Sequence, residues 1–594
     1  MWAKLLAFAV FGVLLLGNAF AAADNRYCAS GNKPQFGALT DGPAALPTSC
    51  FYTGLDNTPS PGKTIAVADS AGLQAALNSA SCGDVLSLKA GVVFAGSFNL
   101  PGKNCDDGHW IQVRSSAPDA QLPAEGERLT PCYAGVRSLP DRPAYACATA
   151  QSDVMAHIVA TTKAAAPFLY SQRIDHYRFG PGLEIARAAG TGIVRELFQA
   201  ENDATANRII FDRIWAHGSP DDETTRFALL DGEDFAAVDA YFDDFHCAAM
   251  TGSCTDSQVF AGGLGRNPQG RWKVVNNFLE AAGQSILFGG GAATRTPADI
   301  EIRRNDLFKP VAWMPPSRAS GKGYPIVKNG FELKNAQRVL FEGNRIQNVW
   351  GGFSQAGFAI LLTPKNPGSC AVCMVRDITI RYSTISHAGG ALQIWNGLSD
   401  TGNAGQEGSH YSIHDIVFDD MNYAGCYGCN GDMMQLGSPP SVPDGFRLHD
   451  VSIRHVTVAT KRARAGWMIS GPAGQRNFVF QDNILDNGEQ GNTNAGGGPA
   501  QCYFARDIMK GVLDGCWAAY KFDHNVIMNA AGESWPANNW TIGDVAKIGF
   551  IRWNNGAGGD YRLAPASRFV GKASDGKDPG ADMDAVSSAM LGGR

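Results

Sequence analysis

The stretch Val339-Leu-Phe-Glu-Gly-Asn344 places an apolar residue on either side of a variable one, and an asparagine follows after two further residues. Copies of this pattern recur at irregular intervals of roughly 30 to 40 residues, which is typical of a repeat architecture. The other copies begin at Trp272, Ile300, Ile378, Ile416, Val451, Phe478 and Tyr520, and the shorter Ile209-Ile-Phe211 begins the series. The short alternation, filled by β-branched and aromatic side chains, predicts one strand per repeat.

The asparagine and the elastic spacing indicate how these strands are arranged. Asparagine tolerates the left-handed backbone conformation of a turn, and stacked side-chain amides can hydrogen-bond from one repeat to the next. A fixed strand with variable spacers is typical of one structural unit per repeat, with loops of differing length. The sequence therefore predicts an all-β fold, a right-handed single-stranded parallel β-helix of about ten coils. Residues 120–160 and 217–262 show little of the pattern and are predicted to be long loops.

Residues 1–23 have the composition of a secretory signal peptide. Lys4 precedes an apolar run over residues 5–16, and Ala19-Phe-Ala21 fits a cleavage site. An uncleaved membrane anchor is the alternative, although the run is short for one. No later stretch is long and apolar enough to span a bilayer, so we expect a protein secreted to the periplasm or the cell exterior.

Fourteen cysteines agree with an oxidising compartment. They fall into neighbouring pairs that predict disulfides: Cys28/Cys50, Cys82/Cys105, Cys132/Cys147, Cys247/Cys254, Cys370/Cys373, Cys426/Cys429 and Cys502/Cys516. The two pairs with Cys-x-x-Cys spacing, at 370–373 and 426–429, could instead form a four-thiolate zinc site.

Composition also bounds the partners. The formal net charge is −6, and no basic run suggests nucleic acid. We expect a monomer in which residues 24–160 hold a lead-in, a capping helix and the first coils. Residues 161–545 would then form the β-helix with its loop insertions, and residues 546–594 would close it.

Two segments outside the repeats carry a resemblance to a known superfamily. Residues 70–80 predict a short amphipathic helix that would cover the open end of the coil. The run LQAALNSASCGDVLSLKAGVVFAGSFNLPGK, residues 73–103, resembles the N-terminal segment of pectate-lyase-like β-helix proteins. The tail YRLAPASRFVGKASDGKDPGADMDAV, residues 561–586, is similar to closing segments of secreted bacterial members. The resemblance implies the β-helix fold and leaves the substrate open.

A second strand in each coil is expected to floor a groove. Because successive side chains on a strand point to opposite faces, placing Phe331 and Leu333 in the core turns Glu332 and Lys334 outward. The same alternation exposes further candidate sugar contacts on later coils: Thr363, Gln393, Trp395 and Gln435. Amides together with an indole face suit sugar rings, which need hydrogen bonds and apolar stacking.

These residue types permit β-elimination on a uronate-containing glycan. The reaction needs a cation that neutralises the sugar carboxylate and a base that removes the neighbouring proton. Lys334 is the candidate base and Glu332 the candidate calcium ligand, with Lys328 as a nearby cation. His387, Arg462 and Arg464, in bordering loops, are further candidate catalytic residues, and either arginine could pair with the sugar carboxylate. Lys365 could also reach the groove.

The stretch VKNGFELKNAQRVLFEGNRIQN, residues 327–348, resembles the chondroitinase B and alginate lyase family. The resemblance implies acidic calcium ligands on one strand, followed by a lysine base. In this chain Glu332 and Lys334 are the residues that match these two roles. The chain has Gly330 where the family has a second carboxylate, and the family's lysine comes several residues later than Lys334.

Our first hypothesis is therefore a secreted polysaccharide lyase acting on an acidic glycan, with calcium as a possible cofactor. The second is a non-catalytic carbohydrate-binding or surface adhesion protein that uses the same groove. A glycoside hydrolase is the third, but it would need two facing carboxylates. Glu332 is the one acid on the strip, so hydrolysis would have to recruit Asp432 or Glu407.

Overall fold

The computed structural model describes residues 39–148, 152–248, 254–315, 323–366, 370–397, 405–438, 446–493, 502, 509–530 and 535–591. Within them the chain winds into parallel strands, each paired with the equivalent strand one coil away, as Phe331 pairs with Ile286 and Ile360. The fold is a parallel β-helix. Its first sheet, here called the cleft sheet, has twelve strands, which indicates about two more coils than the ten predicted.

The strands of the cleft sheet are Phe98–Asn99, Phe168–Tyr170, Val194–Ala200, Thr224–Leu229, Gln258–Gly262, Gln284–Phe288, Phe331–Leu333, Phe358–Leu362, Gly390–Trp395, Asp432–Gly437, Ala465–Ser470 and Asn492–Thr493. The second sheet, here called the ladder sheet, bends around the other sides of the coil. Its strands are Thr64–Val67, Val85–Leu88, Val93–Ala95, Ile111–Ser115, Ala156–Ala160, Ile174–Phe179, Leu183–Arg187, Ala206–Asp212, Ile214–His217, Phe235–Val238, Tyr241–Phe245, Trp272–Val275, Phe278–Ala281, Ala298–Arg303, Asp306–Phe308, Ala336–Glu342, Arg345–Val349, Val375–Ala388, Gly408–Asn422, His449–Arg462, Arg476–Gln481, Ile484–Asp486, Tyr520–Asp523, Val526–Met528 and Trp540–Ile542.

The predicted asparagine ladder is present inside the coil. The backbone N–H of Asn277 donates to Asn305 Oδ1 (2.9 Å), and that of Asn305 donates to Asn344 Oδ1 (2.9 Å). The backbone N–H of Asn344 continues the row to Ser383 Oγ (3.1 Å). The side chains are fully or almost fully buried, so each amide satisfies backbone groups that water cannot reach.

One repeat was aligned wrongly from sequence. The register pairs Ile378 with Tyr411 and Ile380 with Ile413, so the copy in that coil begins at Tyr411 instead of Ile416. Ile416 belongs to the next stretch of the same continuous strand and pairs with Ser383. The error arises because each coil has two consecutive apolar alternations, and spacing alone does not separate them.

The predicted loop at 217–262 is also wrong. It contains the strands Thr224–Leu229, Phe235–Val238, Tyr241–Phe245 and Gln258–Gly262, which belong to the two sheets. Acidic side chains such as Asp243 and Asp244 gave this stretch the composition of a loop, but both are buried. The series also starts before Ile209, because Tyr177 pairs with Ile209 and Ile111 with Tyr177.

Both ends of the coil are covered. The predicted capping helix spans Ser70–Ser79; the carboxylate of Asp69 accepts from Gly72 N (2.8 Å) at its start, and Leu73 and Leu77 are buried in the core. At the other end the helix Met509–Cys516 buries Val512 and Leu513 in the core. The antiparallel pair Phe550–Arg552 and Asp560–Leu563 follows, and the helix Met583–Met590 returns along the ladder sheet, where Arg304 Nε donates to Ala589 O (3.2 Å). The antiparallel pair Thr40–Asp41 and Ala44–Ala45 lies in the lead-in.

Six predicted disulfides are confirmed: Cys82–Cys105, Cys132–Cys147, Cys247–Cys254, Cys370–Cys373, Cys426–Cys429 and Cys502–Cys516. The four thiols of the suggested zinc site are therefore used, and that alternative is wrong. Cys28 and residues 1–23 lie outside the described residues. No helix in the described part of the chain has the length and apolar character that a membrane crossing requires.

Candidate active site

A cavity of about 500 Å³ lies on the outer face of the cleft sheet, over four consecutive strands. Its lining is formed by Lys328, Lys334, Ser354, Gln355, Ala356, Phe358, Leu361, Thr363, Lys365, Gln393, Trp395 and Gln435. The predicted base, the four predicted sugar contacts and the nearby cation Lys328 are therefore in one place. The alternation of the strands explains the result, since outward side chains of stacked coils form straight rows.

Two rows cross the floor of this cavity. In the first, Glu332 pairs in register with Leu361, Leu361 with Gln393, and Gln393 with Gln435. The side-chain amide of Gln393 donates to Gln435 Oε1, so the two carboxamides form a short ladder. Such a ladder leaves further donors and acceptors that can face a ligand.

The second row lies two residues further along each strand and contains Lys334, Thr363 and Trp395. The backbone N–H of Thr363 donates to Leu333 O (2.9 Å), which continues the strand register into this row. The Thr363 hydroxyl is buried and has no hydrogen-bond partner within the described residues. A buried hydroxyl of this kind is costly unless a ligand or water completes it.

Lys334 is held by a buried carboxylate. Its Nζ lies 3.3 Å from Glu332 Oε1, and its side chain is 23% exposed, whereas that of Glu332 is 1% exposed. Gln284 Nε2 donates to the other oxygen of Glu332 (2.6 Å), and Gln258 Nε2 donates to Gln284 Oε1 (3.1 Å). Glu332 therefore points away from the core as predicted, but it supports Lys334 from beneath the cavity floor.

Sequence reasoning missed Gln284. It begins the strand before Phe331–Leu333, and although Leu287 is the register partner of Glu332, the side chain of Gln284 reaches that carboxylate. Strand alternation alone gave no sign of this contact, because the amide reaches across to the next coil.

Three lysines give the cavity its charge. Lys328, Lys334 and Lys365 line it, and among the residues that the structure describes its lining has no aspartate or glutamate. Lys328 forms an ion pair with Asp256 (3.1 Å) and lies over the ring of Phe353. A concave site with this lining attracts anionic ligands.

The structure does not bring Arg462 or Arg464 to this cavity. Arg462 is exposed, its Nε lies 2.6 Å from Glu489 Oε1, and its guanidinium lies over Tyr423. Arg464 Nη2 donates to both oxygens of Asp432 (2.7 and 2.6 Å). Both residues precede the strand Ala465–Ser470, which is four strands along the cleft sheet from Lys334. Their predicted catalytic role has no support from the geometry.

His387 lines a different cavity of about 200 Å³, together with Trp350 and Asp420. Its Nε2 lies 3.3 Å from Asp420 Oδ2, and its backbone has a left-handed φ of 55°. Burial raises the pKa of Asp420, and His387 opposes that shift. His387 sits at the corner before the strand Gly390–Trp395 and does not meet Lys334, so its catalytic role also stays without support.

The donor set around Glu332 does not fit calcium. Calcium takes six to eight oxygen ligands, whereas the oxygens of this carboxylate face the amide of Gln284 and the amine of Lys334. Within the described residues no group of three or more His, Cys, Asp or Glu could hold a metal ion. The predicted metal role of Glu332 is therefore not supported, and we route no chemical step through calcium.

The acids that hydrolysis would need are engaged elsewhere. The side chain of Asp432 is buried and paired with Arg464. Glu407 Oε1 lies 2.9 Å from His449 Nε2. Neither lines the cavity, so its lining does not offer the pair of carboxylates that a glycosidase of this type uses.

No protein-family model matches the chain, and no curated protein matches its sequence. Solved structures that are similar include the family PL6 alginate lyase AlyGC, with 11% identity and a TM-score of 0.43 over 85% of this chain. The match spans 57% of that protein. A mannuronic-acid-specific family 6 polysaccharide lyase from human gut microbiota is 13% identical, with a TM-score of 0.44 over 81% of this chain and 92% of its own.

The family 28 exopolygalacturonase of Yersinia enterocolitica is also similar, with 9% identity and a TM-score of 0.37 over 77% of this chain and 75% of its own. Likenesses of this size say nothing about the reaction. The fold of this chain follows from its own strand register, and its chemistry has to be argued from its own residues.

Proposed function

We propose that the protein is a polysaccharide lyase that cleaves a uronate-containing glycan by β-elimination in the cavity around Lys334. The observation that carries the proposal is the lining itself, which combines three lysines with Gln393, Gln435 and Trp395, and none of its described residues is a carboxylate. Cations fit the sugar acid, and the amides and indole fit the ring.

In this reaction Lys334 acts as the base. The ammonium of the Lys334–Glu332 ion pair first releases a proton to solvent. The neutral amine then takes the proton from the sugar carbon that bears the carboxylate, and the electron pair of the broken C–H bond forms a C=C bond to the next ring carbon. The bond from that carbon to the glycosidic oxygen breaks, and the departing oxygen takes a proton from the new ammonium group or from water. Glu332, 3.3 Å away, stabilises the ammonium that forms.

Lys328 and Lys365 would supply the charge that the substrate carboxylate needs. Both line the cavity from segments that flank its floor strands, one before Phe331–Leu333 and the other after Phe358–Leu362. A cation beside the carboxylate stabilises the electron-rich intermediate that proton removal creates. In this scheme Lys328 and Lys365 pair with the substrate carboxylate, the role that was predicted for Arg462 or Arg464.

The test is a panel of pectins, alginate, glucuronan and glycosaminoglycans, followed by the ultraviolet absorbance of unsaturated chain ends. Alginate belongs in the panel because two of the similar structures are named as acting on it or on mannuronic acid. We expect new absorbance on an acidic glycan that Lys334→Ala abolishes. The matched control is Lys510→Ala, since Lys510 is exposed on the helix Met509–Cys516 and pairs with Asp514.

Other outcomes would identify the alternatives. New reducing ends without absorbance would indicate hydrolysis, and retention on a glycan gel without product would indicate a binding module. The amide ladder and Trp395 favour the binding module as the second candidate, because these contacts recognise sugar without performing chemistry. Loss of lyase activity on chelation would show that calcium is needed despite the unsuitable donors at Glu332.

The place of action is part of the proposal. Six disulfides within the described residues fit an oxidising compartment, where extracellular or periplasmic proteins fold. We infer export after cleavage near Ala23, which agrees with a polymeric substrate that does not enter cells.

A further inference from the structure

A second, larger cavity lies on the ladder sheet, away from Lys334. It has a volume of about 900 Å³ and lies between the sheet and the loop that the Cys132–Cys147 disulfide closes. This size is within the range of ligand sites in proteins, which hold roughly 300 to 1,000 Å³. The cavity on the cleft sheet has a different lining, so the two sites share no residues.

Aromatic rings form the inner wall of this second cavity. The rings of Tyr241 and Phe278 stack with centroids 4.3 Å apart, and Phe278 lies 5.7 Å from Phe308. Tyr145, from the loop, meets Tyr241 edge-on at 6.0 Å. Tyr133, also from the loop, lines the cavity as well. Flat aromatic walls suit the apolar faces of sugar rings.

Two arginines and two carboxylates line the polar side of the cavity. Arg128 Nη1 and Arg345 Nη1 both reach the carboxylate of Asp306, at 2.6 and 3.2 Å. The two guanidinium groups therefore share one carboxylate, and Gln347 adds an amide beside them. Glu127 also lines the cavity, but its Oε2 is turned to the backbone N–H of Ala124 (3.0 Å). Arg345 is the more open of the two arginines, with 28% of its side chain exposed against 8% for Arg128.

The loop over the cavity is anchored firmly. Besides the disulfide, Arg142 extends from the loop to the buried carboxylates of Glu280 (2.7 and 2.8 Å) and Asp244 (2.6 Å). Such buried, bidentate pairs fix geometry. The space is therefore formed before any ligand arrives, which lowers the ordering cost of binding.

One buried group in the wall has no partner. Tyr241 is 3% exposed, and its hydroxyl has no hydrogen-bond partner among the described residues. Burial raises the pKa of Tyr133, and it raises that of Tyr145 to about 12. These phenols therefore keep their protons at neutral pH and remain donors.

We propose that this cavity is a second carbohydrate site, which binds a short acidic oligosaccharide through Arg345, Gln347 and the aromatic wall. The choice of an acidic sugar rests on the proposed function, whereas the existence of the site rests on its own lining. A site of this kind would hold a glycan chain or a released product on a second face of the molecule.

The test is isothermal titration of the Lys334→Ala protein with saturated trisaccharides of alginate and of galacturonate. We expect two sites per chain. Adding Arg345→Ala should weaken one of them about tenfold or more, because a charge-assisted hydrogen bond is lost. Gln347→Ala, which leaves all ion pairs in place, should weaken the same site less. The control is Arg376→Ala, an exposed arginine of the same sheet.

A single site, no binding, or two sites that are indifferent to Arg345 and Gln347 would overturn the inference. These outcomes are separate from the lyase test. Absence of unsaturated products with two intact sites would sink the proposed reaction alone, and lyase activity with a single site would sink the second cavity alone.

Discussion

Glu332 is the residue whose environment differs most from what the sequence pattern predicted. Its alternation with Phe331 and Leu333 turned it outward, as predicted, yet its side chain is 1% exposed because Lys334 and Gln284 cover it. A carboxylate removed from water is stable only where cations and donors satisfy it. Its role here follows from its partners: it positions and stabilises the ammonium form of Lys334.

Replacing Glu332 with glutamine tests this role. Glu332→Gln keeps the shape but removes the charge, so the Lys334 amine loses its ion pair and two amides face each other. We expect the free energy of unfolding to fall by about 2 kcal/mol, measured by urea denaturation. We also expect kcat on the glycan that gives absorbance to fall while KM changes little, since Glu332 does not line the cavity.

Glu489→Gln is the matched control for that experiment. Glu489 forms an ion pair with Arg462, but both side chains are about half exposed, and exposed pairs contribute little to stability. Equal losses of stability and activity in the two variants would contradict the role given to Glu332.

The same residues show what the sequence could predict of the site. Thr363, Gln393, Trp395 and Gln435 were found because strand alternation is local and the stacking of coils repeats it. His387, Arg462 and Arg464 lie outside this cavity, and local alternation could not indicate this because it does not encode where a loop or a corner leads. The left-handed turn at His387 and the pairing of Arg464 with Asp432 depend on contacts that are distant in sequence.

Among the elements, the asparagine row is the one that sequence predicted best. Asn305 accepts from the backbone N–H and the Nδ2 of Asn277 (2.9 and 3.0 Å). It also donates through its Nδ2 to Val274 O and Asn344 Oδ1 (2.9 and 3.0 Å). A short phrase in the sequence could reveal this row because the asparagine follows directly on a strand that is itself visible. Strands with buried acids, such as Tyr241–Phe245, lacked any such marker.

Removing one step of the row should be costly. Asn305→Ala leaves the buried N–H of Asn277 and the carbonyl of Val274 without partners, so we expect the free energy of unfolding to fall by about 3 kcal/mol. Urea denaturation measures the change. Asn78→Ala is the control, because Asn78 is exposed on the helix Ser70–Ser79 and its Oδ1 accepts from Gln74 Nε2 (2.9 Å) at the surface. A loss no greater than that of the control would mean that the row does not stabilise the coil.

At the scale of the whole molecule, an N-terminal segment ties distant coils together. Asp41 accepts from Arg381 Nη1 (2.7 Å) and Ser412 Oγ (3.2 Å) and lies 3.0 Å from His414 Nε2. The backbone N–H of Thr48 donates to Asp299 Oδ1 (2.8 Å), several strands away along the ladder sheet. A solenoid has contacts mainly between neighbouring coils. Residues 39–48, here called the strap, therefore add a long-range link that stacking alone does not provide.

The strap should respond to pH through His414 and Asp41. Burial alone would lower the pKa of His414, but hydrogen bonds to Asp41 and Asp415 raise it to about 9. Burial alone would raise the pKa of Asp41, but the hydrogen bond from His414, followed by that from Arg381, lowers it to about 2. The His414 contribution is thus complete below its unfolded pKa of about 6.5 and is lost as pH rises through 9. That of Asp41 is complete above its unfolded value and is lost as pH falls toward 2.

We therefore expect the strap to be most stable between about pH 4 and pH 6.5 and to weaken steadily up to about pH 9. Thermal unfolding of the wild type across this range measures the decline, and His414→Gln, which cannot titrate, should show a smaller one. The wild type has to be compared with His414→Gln because a second histidine also titrates in this range. Burial lowers the pKa of His217, but hydrogen bonding to Glu184 outweighs it and raises that pKa to about 9. The dependence of stability on pH that comes from His217 is the same in both proteins. Limited proteolysis near residues 39–48 should become faster at pH 9 in the wild type, since release of the Asp41 contacts frees this segment first. Identical pH slopes in the two proteins would show that the charge on His414 does not hold the strap.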